Sequence, residues 1–83
     1  MNRETAKQLF RVALAAAGKH QRNLGKAQFA AATRNTEAKA RAFEIVARLE
    51  VTARETMNAA ITAALQLGGH EIIPSLIAEA EAH

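Results

Sequence analysis

Apolar side chains recur every three or four residues along most of this 83-residue chain, and nowhere do they alternate over the length of a strand. The first periodic stretch predicts a helix from about Arg3 to Ala17, with Asn2 as N-cap and Gly18 as its stop. On it Thr5, Leu9, Val12, Ala13 and Ala16 share one face, flanked by Phe10 and Ala17. Arg3, Lys7 and Arg11 follow at four-residue intervals on roughly the opposite face. Lys19 to Asn23 is wholly polar and reads as a connector. A shorter helix follows from about Leu24 to Arg34, burying Leu24, Phe29 and some of Ala27, Ala31 and Ala32, with Gly25 weakening its start and Asn35 marking a break.

The longest pattern begins at Thr36, an N-cap candidate followed by Glu37 in the first turn, and meets no Gly or Pro until Leu67. One helix over that span would be roughly 45 Å long. One arc carries Ala42, Ile45, Val46, Leu49, Ala53, Met57, Ala60, Ala64 and Leu67, and a second carries Phe43, Ala47, Ile61 and Leu65. An arc this wide suits two neighbours. The remaining face neutralises itself through Glu37–Arg41 and Glu44–Arg48 in the favourable acid-first order. A compact chain of this size is only about 25–30 Å across. The helix should therefore break near Val51–Thr56 or overhang onto another chain. Gly68-Gly69 ends it by a left-handed cap, and a last helix with Pro74 in its first turn runs to the C-terminus, too short to be stable unless docked.

Composition narrows the architecture. Of 41 apolar residues, 21 are Ala, which favours helix but buries little area. The expectation is an all-α fold, residues 1–83 forming one small helical bundle of three to four helices around one long central helix, with a thin core that close approach or a second chain would complete. There is no Cys and no run of ~18 apolar residues that would span a membrane. Leu9–Ala17 resembles a short signal-peptide core, but Arg11 interrupts it. It reads as an ordinary helix, and the protein as cytoplasmic.

Charge adds an asymmetry that hydropathy does not show. Residues 1–41 hold nine Lys or Arg against two Glu (+7), and residues 42–83 two Arg against six Glu (−4). The basic candidates for a partner or anion are Arg3, Lys7, Arg11, Lys19, Arg22, Lys26, Arg34, Lys39 and Arg41. One way to use them is a helix-turn-helix over Phe29–Thr36, with Thr36, Glu37, Lys39, Ala40 and Arg41 entering a major groove and Lys19, Arg22, Lys26 and Arg34 on phosphates. The turn lacks Gly, the recognition helix would be far too long, and Glu37 would face the DNA. A small anion at an oligomer axis, or the acidic C-terminal end of this chain or a second copy, are further partners for the same charges.

Candidate chemistry is sparse. Ser75 stands beside Pro74 at a helix start and reads as a cap. His20, His70 and His83 match no metal-ligand spacing, and Gly68-Gly69 follows no strand and precedes no Lys-Ser/Thr, so no metal, cofactor or catalytic set is expected. Glu50 and Arg54 interrupt the apolar arc of the long helix, as a rim ion pair or as a polar device across an oligomer interface. The expected interface residues are Phe43, Leu49, Glu50, Arg54, Met57, Ile61 and Leu65. The functional expectation is a non-enzymatic helical interaction protein, a homo-oligomer or an adaptor or inhibitor on a larger protein. The alternative is DNA or anionic-ligand binding through residues 3–41.

Overall fold

The computed structural model describes residues 2–32 and 35–82 and is all-α among them. Helix α1 spans Arg3–Ala30, α2 spans Thr36–Leu67, and a 3-10 turn at His70–Ile72 leads into α3, Ile73–Glu81. With 28 and 32 residues the two long helices are near equals. The predicted arrangement around one central helix is thus not what forms: α1 and α2 make a helical hairpin, and α3 folds back against α1.

The predicted break between two N-terminal helices is absent. α1 runs through Gly18, the Lys19–Asn23 segment and Gly25. Lys, Gln and Arg are good helix formers, and an interior Gly costs only about 1 kcal/mol relative to Ala. An Asn23 side chain donating to the Lys19 carbonyl is seated within this run. The Asn2 side chain accepts from the Thr5 N–H at 2.8 Å and caps α1 as expected. α2 starts where the pattern put it, but Asn35 is its cap, accepting from the Ala38 N–H at 3.1 Å.

α2 does not break at Val51–Thr56. The Thr52 and Thr56 hydroxyls turn back onto the carbonyls of Arg48 and Thr52, so these residues are accommodated inside the helix. Nor does α2 overhang a small globule. The molecule measures 50 × 21 × 17 Å, and 32 helical residues rise roughly 48 Å, so the hairpin lies along the long axis.

The end of α2 uses Gly69 at φ 83 and ψ −169, a combination outside the left-handed helical well and essentially reserved for Gly. Pro74 lies in the first turn of α3, as expected. Ser75 does not cap it: its hydroxyl accepts from Arg3 at 2.8 Å.

Burial is concentrated at one end. Ala6, Phe10 and Ala13 of α1 meet Ala60, Ala63 and Ala64 of α2 and Leu76 and Ala80 of α3. The predicted α1 face is therefore rotated: Phe10 is its centre, and Thr5 and Val12 are exposed. Phe10 and Leu76 are the large side chains fully withdrawn from water, contributing about 1.5–3 kcal/mol each. The alanines between them let the three backbones approach closely. Leu9, Leu14, Met57, Ile61, Leu67, Ile72, Ile73 and Ile77 pack around this cluster while staying half-buried. We call this the closed end. The far half of the hairpin, beyond about Gly18 in α1 and before about Met57 in α2, has Ala27 as its buried side chain among the described residues.

Candidate functional site

The fold sorts charge by helix. α1 carries six basic side chains against Glu4, or +5; α2 carries Lys39, Arg41, Arg48 and Arg54 against Glu37, Glu44, Glu50 and Glu55, or 0; the segment from His70 to Glu81 carries Glu71, Glu79 and Glu81, or −3. At the closed end the two extremes meet. Arg3 reaches Glu79 at 3.1 Å while also donating to Ser75, so the expected pairing of the acidic end with the basic beginning exists at this residue. Both side chains are near half-exposed, and the pair is a modest tether.

The other basic candidates stand in different settings. Lys7 is held by Glu4 at 2.9 Å, and Lys7, as hydrogen-bond donor, holds the Glu4 carboxyl below its ordinary value. Arg11 is half-buried, with its Nε enclosed and unbonded. Lys19, Arg22 and Lys26 are exposed and enter no ion pair among the described residues. At about 100° per residue, all six from Arg3 to Lys26 fall within about 160° of the α1 circumference, over roughly 35 Å. Lys39 and Arg41 stand on α2, on opposite sides of that helix by the same arithmetic. Arg34 and Thr33 lie outside the described residues, as does His83.

The apolar candidates form the second surface. Phe29, expected in the core, is 86% exposed. Phe43 and Ile45 are each 48% exposed, and Val51 and Leu65 are also open to solvent. Of the predicted interface residues, Leu49 is half-buried on the inner side of the hairpin. Met57 and Ile61 are half-buried beside the core, while Phe43, Glu50, Arg54 and Leu65 are exposed. Glu50 and Arg54 face each other at 3.9 Å, a long and solvated pair. Sequence periodicity places Ile45 on the inner arc; the arc is narrower in the far half, because among the described residues only one neighbouring helix is present there.

The chain matches no family model, no curated protein and no solved structure. Its own geometry therefore carries the functional argument. Among the described residues, no three His, Cys, Asp or Glu side chains converge as metal ligands, and no helix is long and apolar enough to cross a membrane. What the arrangement offers is two surfaces: a basic strip along α1, and an apolar far half of the hairpin.

Proposed function

We propose that this is a non-enzymatic helical interaction protein, acting as a homo-oligomer or as an adaptor or inhibitor on a larger protein. The observation that carries the reading is the exposure of Phe29, Phe43, Ile45 and Val51 on the far half, while the core closes at the other end. By the 100° step Phe43 and Ile45 stand on opposite sides of α2, so the exposure belongs to the far half as a whole, where large apolar side chains left in water favour contact with a partner. Docking there supplies the burial that the alanine-rich hairpin does not supply for itself. A photo-crosslinking residue in place of Phe43, with a control in place of exposed Ala78 on α3, tests this in cells. Protein adducts from position 43 in excess of those from position 78 are expected. Equal yields from the two positions, or none from 43, refute the reading.

A second reading rests on the α1 strip, where Lys19, Arg22 and Lys26 stand exposed with no carboxylate partner among the described residues. Such a strip binds a polyanion by displacing its counterions. Its support is the charge arrangement alone; α1 and α2 lie side by side along the long axis, not as a short recognition unit. Titration with a duplex oligonucleotide between 50 and 200 mM salt tests it, at concentrations chosen as about the range where phosphate contacts are lost. Affinity should fall steeply with salt, and Lys19, Arg22 and Lys26 changed together to Gln should flatten the slope; an unchanged slope excludes this role for them.

A further inference from the structure

We propose that the partner of α2 is α2 of a second copy, packed antiparallel about a two-fold axis near Thr52; this rests on the interaction reading above. The flank of α2 beside its α1-facing side carries a stripe, Ala40, Phe43, Ala47, Glu50, Arg54, Met57 and Ile61, of which the first five are exposed and Met57 and Ile61 are half-buried against the closed-end core. None of these side chains is fully buried, and the spacing alternates three and four residues throughout. That is the seam of a two-stranded coiled coil, whose 3.5-residue period keeps one stripe facing its partner.

The contents of the stripe select the direction. In an antiparallel pair centred on residue 52, Phe43 lies opposite Ile61 of the second copy, Ala47 opposite Met57, and Glu50 opposite Arg54. Each pairing then occurs twice, as an isologous interface requires. Small meets large at Ala47 and Met57, and opposite charges meet at the centre. A parallel in-register pair would set Glu50 on Glu50 and Arg54 on Arg54, and like charges across a seam are repulsive. A shift of one heptad would set each of these charges against an apolar side chain. The Glu50–Arg54 pair within one chain, at 3.9 Å and well exposed, is loose enough to rearrange across the seam.

The full chain is tested by sedimentation equilibrium from micromolar upward, with helicity followed by circular dichroism. A species of twice the chain mass is expected. Glu50→Arg alone and Arg54→Glu alone should each weaken it at least ten-fold with helicity unchanged. The double exchange should restore most of it, which a merely unfolded variant does not do. In the Cys-free background, Ala47→Cys with Met57→Cys should oxidise to a covalent dimer. A monomer at every concentration, or a double exchange as weak as the single ones, overturns the proposal. If the monomer still gives Phe43-site adducts with another protein, the interaction reading survives and the second copy is excluded; if it gives none, both fall.

Discussion

Two phenylalanines on one helix should behave in opposite ways. Phe10 has no exposed surface and Phe29 is 86% exposed, so truncation to Ala removes packed side chain at one site and solvated side chain at the other. A buried Phe→Ala change costs about 3–5 kcal/mol from lost transfer energy and the cavity left behind. A domain of this size has roughly 4–12 kcal/mol in total, at about 0.05–0.15 kcal/mol per residue. A core with two large fully buried side chains belongs toward the low side of that range. Phe10→Ala should therefore remove most of the stability, lowering Tm by more than about 12 °C or leaving no cooperative transition, since 1 kcal/mol moves a domain of this size by about 4–8 °C. Phe29→Ala should stay within about 0.5 kcal/mol, the range of ordinary surface changes. Urea and thermal melts at 222 nm measure both, at one dilute concentration so that association contributes equally. Comparable losses at the two positions, or a larger loss at Phe29, would refute the placement of the core at the closed end.

Other outcomes follow from single positions. Gly25 is helical, and a Cβ there meets nothing within 4 Å, so Gly25→Ala should stabilise by about 0.5–1 kcal/mol in the same melts; destabilisation would mean that α1 is interrupted. Gly69→Ala should cost about 1–3 kcal/mol, because φ 83 with ψ −169 is strained for any side chain. Glu4 titrates below its ordinary value because Lys7 donates to it, so its contribution is present above the unfolded-state pKa and fades as pH falls through the lower folded pKa. In an NMR titration Lys7→Met should raise the Glu4 midpoint, and no movement would remove Lys7 as the cause.

The helical class, the α2 span and the docked C-terminal helix were legible because hydrophobic period and terminal signals agree there. The single α1 was not. Gly18, Gly25 and the polar Lys19–Asn23 run imitate two helix ends and a connector, but the local penalties are small and no proline enforces a stop. The inner face of α1 was misplaced by a fraction of a turn because Ala6 and Thr5 are both small, and periodicity alone does not distinguish which of them faces a neighbour. The pattern puts Phe29 on the buried face of a separate second helix, yet among the described residues no third helix stands over the far half to cover it. Among the site residues, the order of Glu50 and Arg54 on the apolar stripe was visible in the sequence. Which basic residues would be neutralised was not, since Arg3–Glu79 depends on how α3 folds back.

The position of the core also bears on how the chain reaches this fold. A helical hairpin ordinarily zips from its turn, where the loop to be closed is short. Here the turn end offers little to bury, and the first strong cross-helix contacts join residues such as Phe10 and Ala60, fifty positions apart. Closing a loop of that length, rather than the five residues between α1 and α2, costs about 2 kcal/mol more in chain entropy. The rate-limiting encounter is then between the outer thirds of the sequence, and this protein should fold more slowly than its helix content alone would suggest.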